Sequence, residues 1–198
     1  MSANAIVHVV GTGTIGEPLI GLLSALKDGL GVSEVTFHKR TPLLTDRSKV
    51  LSLMRKGAKL CVDDGAHKGF QDLGMEPSFE SREALQRAGV VIDCTPSGVG
   101  TQNKIEFYEK YTTNTLGFIA QGSEFGFGKP YARGINDEAL QKGKDQFIQV
   151  VSCNTHNLSI LIHTLALADG GPDNLVEGRF VCMYCVLSLS ADEKRFRS

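Results

Sequence analysis

The stretch Ala5-Ile6-Val7-His8-Val9-Val10-Gly11-Thr12-Gly13-Thr14-Ile15-Gly16, followed by Leu19, Ile20, Leu22, Leu23 and Leu26, decides the fold. Ala5–Val10 is a short apolar run that reads as a buried strand, and Glu17–Lys27 carries its apolar residues at helical spacing. Between them stands G-x-G-x-x-G. Gly11 permits the tight turn, Gly13 lets the backbone approach a pyrophosphate, and Gly16 allows close packing of helix on strand. The anion is then held at a helix N-terminus, where unpaired N–H groups and the helix dipole favour negative charge. A plain glycine turn is the other reading of the same residues.

Outward from this unit, strands and helices alternate. Glu34–His38 and Lys59–Val62 read as strands, with Leu43–Lys56 helical between them. Gly65–Phe79 carries mixed loop signals, and Ser81–Arg87 reads as a short helix. Gly89–Cys94 is a buried strand, and Thr95–Gly100 reads as a loop from its proline and glycines. Ile105–Tyr111 is expected to be helical, Leu116–Ala120 a strand, Gln121–Ala132 a loop, Gln146–Ser152 a strand and Leu158–Ala168 a helix. This alternation predicts a Rossmann-type α/β fold with a mostly parallel sheet over residues 1–152. Such sheets bind ligands at the carboxyl ends of their strands. The loops after Val10, His38, Cys94, Ala120 and Ser152 thus become one set of site candidates. Residues 153–198 read as the start of a second domain. Gly178–Leu189 is expected to be a strand apolar on both faces, with only the charged Asp192–Ser198 after it, so this domain reads as incomplete.

Composition is that of an ordinary soluble domain, with 41% hydrophobic and 22% charged residues over 198 positions. A net charge of -1 gives no basic field for nucleic acid or an anionic membrane. No segment approaches the roughly 20 apolar residues of a membrane helix. The five cysteines, Cys61, Cys94, Cys153, Cys182 and Cys185, are odd in number and mostly lie in apolar runs. They read as reduced thiols of a cytoplasmic protein. Cys182 and Cys185 form one C-x-x-C in strand-like sequence, where i and i+3 face opposite sides, so no metal site is expected.

Two further features carry chemistry. After the second strand, an NAD site normally offers an acidic residue to the ribose 2′-hydroxyl. Here stand His38-Lys39-Arg40-Thr41, cations that suit a 2′-phosphate, so NADP is favoured and NAD remains possible. A solvated strand end is the alternative. In Val150-Val151-Ser152-Cys153-Asn154-Thr155 a β-branched run delivers a thiol to the start of a helix, where the dipole favours a thiolate. A buried structural thiol is the alternative there. A thiolate beside a nicotinamide site implies oxidation of an aldehyde through a thioester.

Three motifs in order, G-T-G-T-I-G at 11–16, D-C-T-P-S-G-V-G-T-Q-N-K at 93–104 and V-V-S-C-N-T at 150–155, resemble the archaeal-type (type II) glyceraldehyde-3-phosphate dehydrogenases. Ala120-Gln121-Gly122-Ser123-Glu124 is similar to that family's F-Q-G-G-E segment. The resemblance implies a Rossmann domain followed by an α+β catalytic domain, here incomplete, in a tetramer that uses NADP or NAD and acts on glyceraldehyde 3-phosphate and inorganic phosphate. By motif match it assigns cofactor contacts to Gly11, Gly13, Thr14, Ile15, Gly16, Lys39, Thr95 and Gly122. Ser152, Cys153 and Asn154 match the substrate-binding triplet and its nucleophile.

The chain also departs from the family. His156-Asn157 follow Thr155 in place of small residues. Cys182-Met183-Tyr184-Cys185 stand where an arginine pair is expected, and a Thr-x-x-Met-His segment with the catalytic histidine is absent. These departures imply a truncated or diverged member, weak or inactive by itself. His156, one helical turn from Cys153, is a candidate stand-in for the histidine or a solvated helix-start residue. An aspartate-semialdehyde dehydrogenase relative and a non-catalytic NADP-binding subunit are the competing readings.

Overall fold

In a computed structural model, residues 5–181 are described, except Ser123, Asp169, Pro172 and Asn174. The chain divides into two compact units, Met1–Ser152 and Cys153–Ser198. The first is built on β1 (Ile6–Val10), α1 (Gly16–Leu26), β2 (Glu34–His38), α2 (Arg47–Arg55), β3 (Lys59–Val62), α3 (His67–Asp72), β4 (Phe79–Glu80), α4 (Ser81–Arg87), β5 (Val90–Asp93), α5 (Val99–Glu106), β6 (Gly117–Ala120), β7 (Lys129–Tyr131) and β8 (Phe147–Val150). The strands form one eight-stranded sheet in the order β4-β3-β2-β1-β5-β6-β8-β7. Every pairing is parallel. The sheet, flanked by helices, is of Rossmann type, as the strand–helix alternation requires.

The order reverses at β1, which has β2 on one side and β5 on the other. The register sets Val10 level with His38 and with Asp93, and Asp93 level with Ala120. Four strands therefore end on one line, which is where an open parallel sheet binds ligands. Val7, Val9, Val35, Phe37, Leu60 and Ile20 form one core layer, closed by Val50, Leu53 and Phe70. A second layer rests on Tyr108, Phe118 and Phe127, with Phe147 packed against it. Phe118 stacks on Phe147 at 4.8 Å and on Tyr108 at 5.4 Å between ring centroids.

Several local expectations are corrected. Gly65–Phe79 contains α3, and the expected loop Gln121–Ala132 contains β7. Residues 95–111 hold α5, which starts at Val99, and a separate 3-10 turn, Tyr108–Tyr111, in place of one helix from Ile105. In the second unit α6 (Cys153–Ile162) begins at Cys153 and runs into a π-turn, His163–Leu167. Gly178–Val181 carry no regular structure, and the rest of the expected strand, with Cys182 and Cys185, lies outside the described residues.

His8 sits in the middle of β1, 1% exposed, and its Nδ1 shares a 2.7 Å hydrogen bond with Thr36 Oγ1 on β2. Burial, aided by the neighbouring His38, pulls its pKa from 6.5 down to about 3. The folded state keeps His8 neutral while the unfolded chain takes up a proton below about 6.5. Stability from this group is therefore full above pH 6.5 and is lost as the pH falls toward 3. The loss is about 1.4 kcal/mol per pH unit inside that window, or about 2 kcal/mol by about pH 5. Urea unfolding of the native chain and His8→Gln at about pH 7 and about pH 5 checks this. The native chain should lose about 2 kcal/mol more than the variant, and equal losses would exclude His8 as the responsive group.

Candidate functional site

At the carboxyl ends of β1, β2 and β5 lies a cleft of about 710 Å³, lined among others by Gly11, Thr12, Lys39, Arg40, Thr95 and Asn103. The glycine turn forms one wall. Gly11 has φ +97°, and a Cβ there would lie 2.9 Å from the Cys94 carbonyl oxygen. A Cβ on Gly16, where α1 starts, would stand 2.0 Å from the Gly11 carbonyl oxygen. At Gly13 the same test finds no atom within 4 Å. Two glycines are thus demanded by packing, and the middle one leaves open space beside the backbone. Thr14 and Ile15 are exposed on the turn. No side chain caps α1; the Glu17 N–H is taken by the Gly13 carbonyl at 3.0 Å and Pro18 has no N–H, so the helix start offers an anion its dipole rather than a row of free donors. These features fit the pyrophosphate of a dinucleotide.

The far wall carries charges of both signs. Lys39 Nζ is 2.7 Å from Asp46, His38 Nε2 is 2.8 Å from Asp63, and Arg82 is 3.3 Å from Asp64. Arg40 is exposed and lines the cleft. The residues thus fit a 2′-phosphate through Lys39 and Arg40, with part of the field cancelled by neighbouring carboxylates. Asp46 has no local sequence signal linking it to Lys39; the two meet because the 3-10 turn Leu44–Asp46 folds back on the end of β2.

Thr95 is fixed from three sides. Its N–H donates to Asp93 Oδ1 at 2.9 Å, its hydroxyl donates to the same oxygen, and its carbonyl accepts from Gln121 Nε2 at 2.6 Å. Asp93, fully buried, also accepts from Asn103 Nδ2 at 2.9 Å and from the Tyr108 hydroxyl at 2.5 Å. Burial, with the Asp93 charge beside it, holds the Tyr108 pKa well above its ordinary value, so the phenol stays a donor. Glu124, 1% exposed, accepts from the Gly98 and Thr101 N–H groups at 2.8 Å each and from the Thr101 hydroxyl at 3.0 Å. It satisfies the start of α5 from a different loop, as an N-cap side chain would. Neither carboxylate was assigned a role from sequence. A charged residue closing the apolar strand β5 was the available signal for Asp93; Glu124 closes the segment matched to F-Q-G-G-E, but its partners lie more than twenty positions away in the chain, so its role was not readable locally.

Gly122 packs on Ser152: a Cβ there would be 2.4 Å from the Ser152 nitrogen and Cα. The loops after β6 and β8 therefore touch, backbone to backbone. In the second unit, Cys153 is the first residue of α6 and is exposed, Asn154 follows it, and His156 stands one turn on. Burial pushes the Cys61 thiol up to about 12 and the Cys94 thiol up to about 11. Those two are inert at neutral pH. No cluster of potential metal ligands occurs among the described residues. Among them, too, no helix is long and apolar enough to cross a membrane.

No family profile matches the chain. Its sequence is nevertheless similar to several archaeal proteins that carry the name glyceraldehyde-3-phosphate dehydrogenase. The protein from Pyrobaculum arsenaticum is 31% identical over 164 residues, 81% of this chain and 44% of its own length. That from Methanobacterium bryantii is 33% identical over 157 residues, covering 77% and 42% respectively. That from Archaeoglobus fulgidus is 32% identical over 162 residues, covering 80% and 44%. The chain thus spans less than half the length of these relatives. A Rossmann-type fold with a glycine-turn cleft defines the class, and the similarity is homology to the archaeal glyceraldehyde-3-phosphate dehydrogenases.

Proposed function

We propose that residues 1–152 form an NADP-binding domain and that residues 153–198 begin the catalytic domain of a type II phosphorylating glyceraldehyde-3-phosphate dehydrogenase. The observation that carries this reading is the cleft at the ends of β1, β2 and β5. Its glycine turn demands glycine at 11 and 16, leaves space at 13, and faces Lys39, Arg40 and Thr95. Gly11, Gly13, Thr14, Ile15 and Gly16 would cradle the pyrophosphate, and Lys39 the 2′-phosphate. Thr95 and Gly122 would line the nicotinamide side. Bound NADP would supply the hydride acceptor.

The chain's own residues would do the rest. The Cys153 thiolate attacks the aldehyde carbon of glyceraldehyde 3-phosphate, forming a C–S bond and moving the C=O electrons to oxygen, which takes a proton from water to give the hemithioacetal hydroxyl. The start of α6 offers N–H groups to that oxygen, and Ser152 and Asn154 hold the substrate. Loss of hydride and of the hydroxyl proton leaves a thioester, and inorganic phosphate displaces the thiolate to give the 1,3-bisphosphate. His156 is the nearest candidate to take the proton. A homotetramer in the cytoplasm is the assembly that the resemblance supports.

Intact-mass spectrometry after mixing the chain with glyceraldehyde 3-phosphate and NADP, without phosphate, tests the proposal. The expected result is a slowly formed acyl adduct mapped to Cys153, absent in Cys153→Ser, with NADPH formed in step and turnover far below an ordinary enzyme's. Added phosphate should discharge the adduct. Limited alkylation should label Cys153 ahead of the buried Cys61 and Cys94. Binding of NADP with no adduct and no NADPH would instead establish a non-catalytic nucleotide-binding subunit.

A further inference from the structure

We propose that Asp46 sets the choice between NADP and NAD by competing with the 2′-phosphate for Lys39. This rests on the reading of the cleft as a dinucleotide site. Lys39 lines that cleft, yet its ammonium is 2.7 Å from an Asp46 carboxylate oxygen, and both side chains are largely shielded from water, 16% and 23% exposed. Asp46 is not among the residues lining the cleft; it draws the ammonium from the side. A phosphate arriving at Lys39 must share or displace this contact and then sits near a like charge. NAD, with a hydroxyl in that place, makes no such demand.

Lys49 explains how the exchange is possible. Its Nζ is 4.0 Å from Asp46 and 3.4 Å from Glu17, in the first turn of α1. It keeps the Asp46 carboxylate compensated while Lys39 turns toward an incoming phosphate. Arg40, exposed at the cleft, is the second cation for the same group. The chain Lys39–Asp46–Lys49–Glu17 therefore tempers an NADP preference that the sequence His38-Lys39-Arg40 alone overstates. No single residue at the end of β2 encodes the selectivity; a residue seven positions on, in a turn, adjusts it.

The test is calorimetric titration of the full chain with NADP and with NAD. Asp46→Asn keeps the shape and the helix-start position before α2, and Asp46→Ser is a second variant that also suits a helix N-cap. Both should tighten NADP about three- to tenfold, the range for one partly shielded ion pair, and leave NAD within about twofold. The gain should shrink as salt is raised, and adding Lys39→Met should erase it. Unchanged or weaker NADP binding, or an equal gain for both dinucleotides, would overturn the role of Asp46. Failure of the folded native chain to bind either dinucleotide would overturn the cleft assignment as well.

Discussion

Replacing Gly16 by alanine should cost the first unit about 2–4 kcal/mol of stability and abolish dinucleotide binding, whereas Gly13→Ala should abolish binding with stability intact. The two substitutions add the same methyl group to the same turn. At position 16 it meets backbone: the Gly11 carbonyl oxygen at 2.0 Å and its carbon at 2.9 Å, with the Cys94 Cβ at 3.3 Å behind. No rotamer relieves a clash between a Cβ, fixed by its own backbone, and main-chain atoms. Helix α1 must move off β1 and β2 by more than an ångström, and Ile20, fully buried in the core one turn along, moves with it. The cradle is then misaligned as well as destabilised. At position 13 the methyl meets nothing within 4 Å and the backbone φ is not in the left-handed region. It would occupy the space beside the turn through which a pyrophosphate approaches. Thermal melts with NADP titrations of both variants check this. A Gly13→Ala protein that melts normally and still binds NADP would remove the glycine turn from the binding site.

The same contrast shows what can be read from sequence. The strand–glycine–helix opening was legible because its signals are local: a β-branched run, three glycines at fixed offsets and leucines at helical spacing. The parallel sheet followed from repeated alternation. What escaped was held by contacts distant in sequence. Helix α5 begins at Val99 behind Gly98, at φ +85°, and its residues Thr101-Gln102-Asn103-Lys104 show no apolar stripe. Its start is held by Glu124 from beyond β6. Strand β7 is a three-residue edge with the exposed Pro130 at its centre, a place where proline is tolerated because no ladder donor is needed. Its neighbour Gly128 packs so tightly on β8 that a Cβ would stand 2.2 Å from the Phe147 carbonyl, a constraint no periodicity reveals. Lys39 was legible as a cation at the end of β2. That Asp46 already holds it was not.

Asp93 should prove the most expensive polar residue of the first unit to remove. Its carboxylate receives four hydrogen bonds, from the Thr95 N–H and hydroxyl, Asn103 Nδ2 and the Tyr108 hydroxyl. It is 0% exposed and forms no ion pair among the described residues. A buried charge without a cation persists only when hydrogen bonds replace its lost hydration. Asp93→Ala leaves those donors without an acceptor, and Tyr108 is itself 2% exposed, so water cannot serve it freely. At about 1–3 kcal/mol per stranded donor, discounted for the part-exposed Thr95, the expected loss is about 3–5 kcal/mol. That corresponds to roughly 10–15 °C in melting temperature for a unit of this size. Asp93→Asn should recover only part of it, because its amide nitrogen presents hydrogens to groups that are already donors. Tyr108→Phe, which removes one donor and strands nothing, should cost about 1 kcal/mol in the native chain and nothing in the Asp93→Ala background. A double-mutant cycle read by urea unfolding measures that coupling. Additive costs for the two substitutions would mean that Tyr108 and Asp93 do not depend on each other.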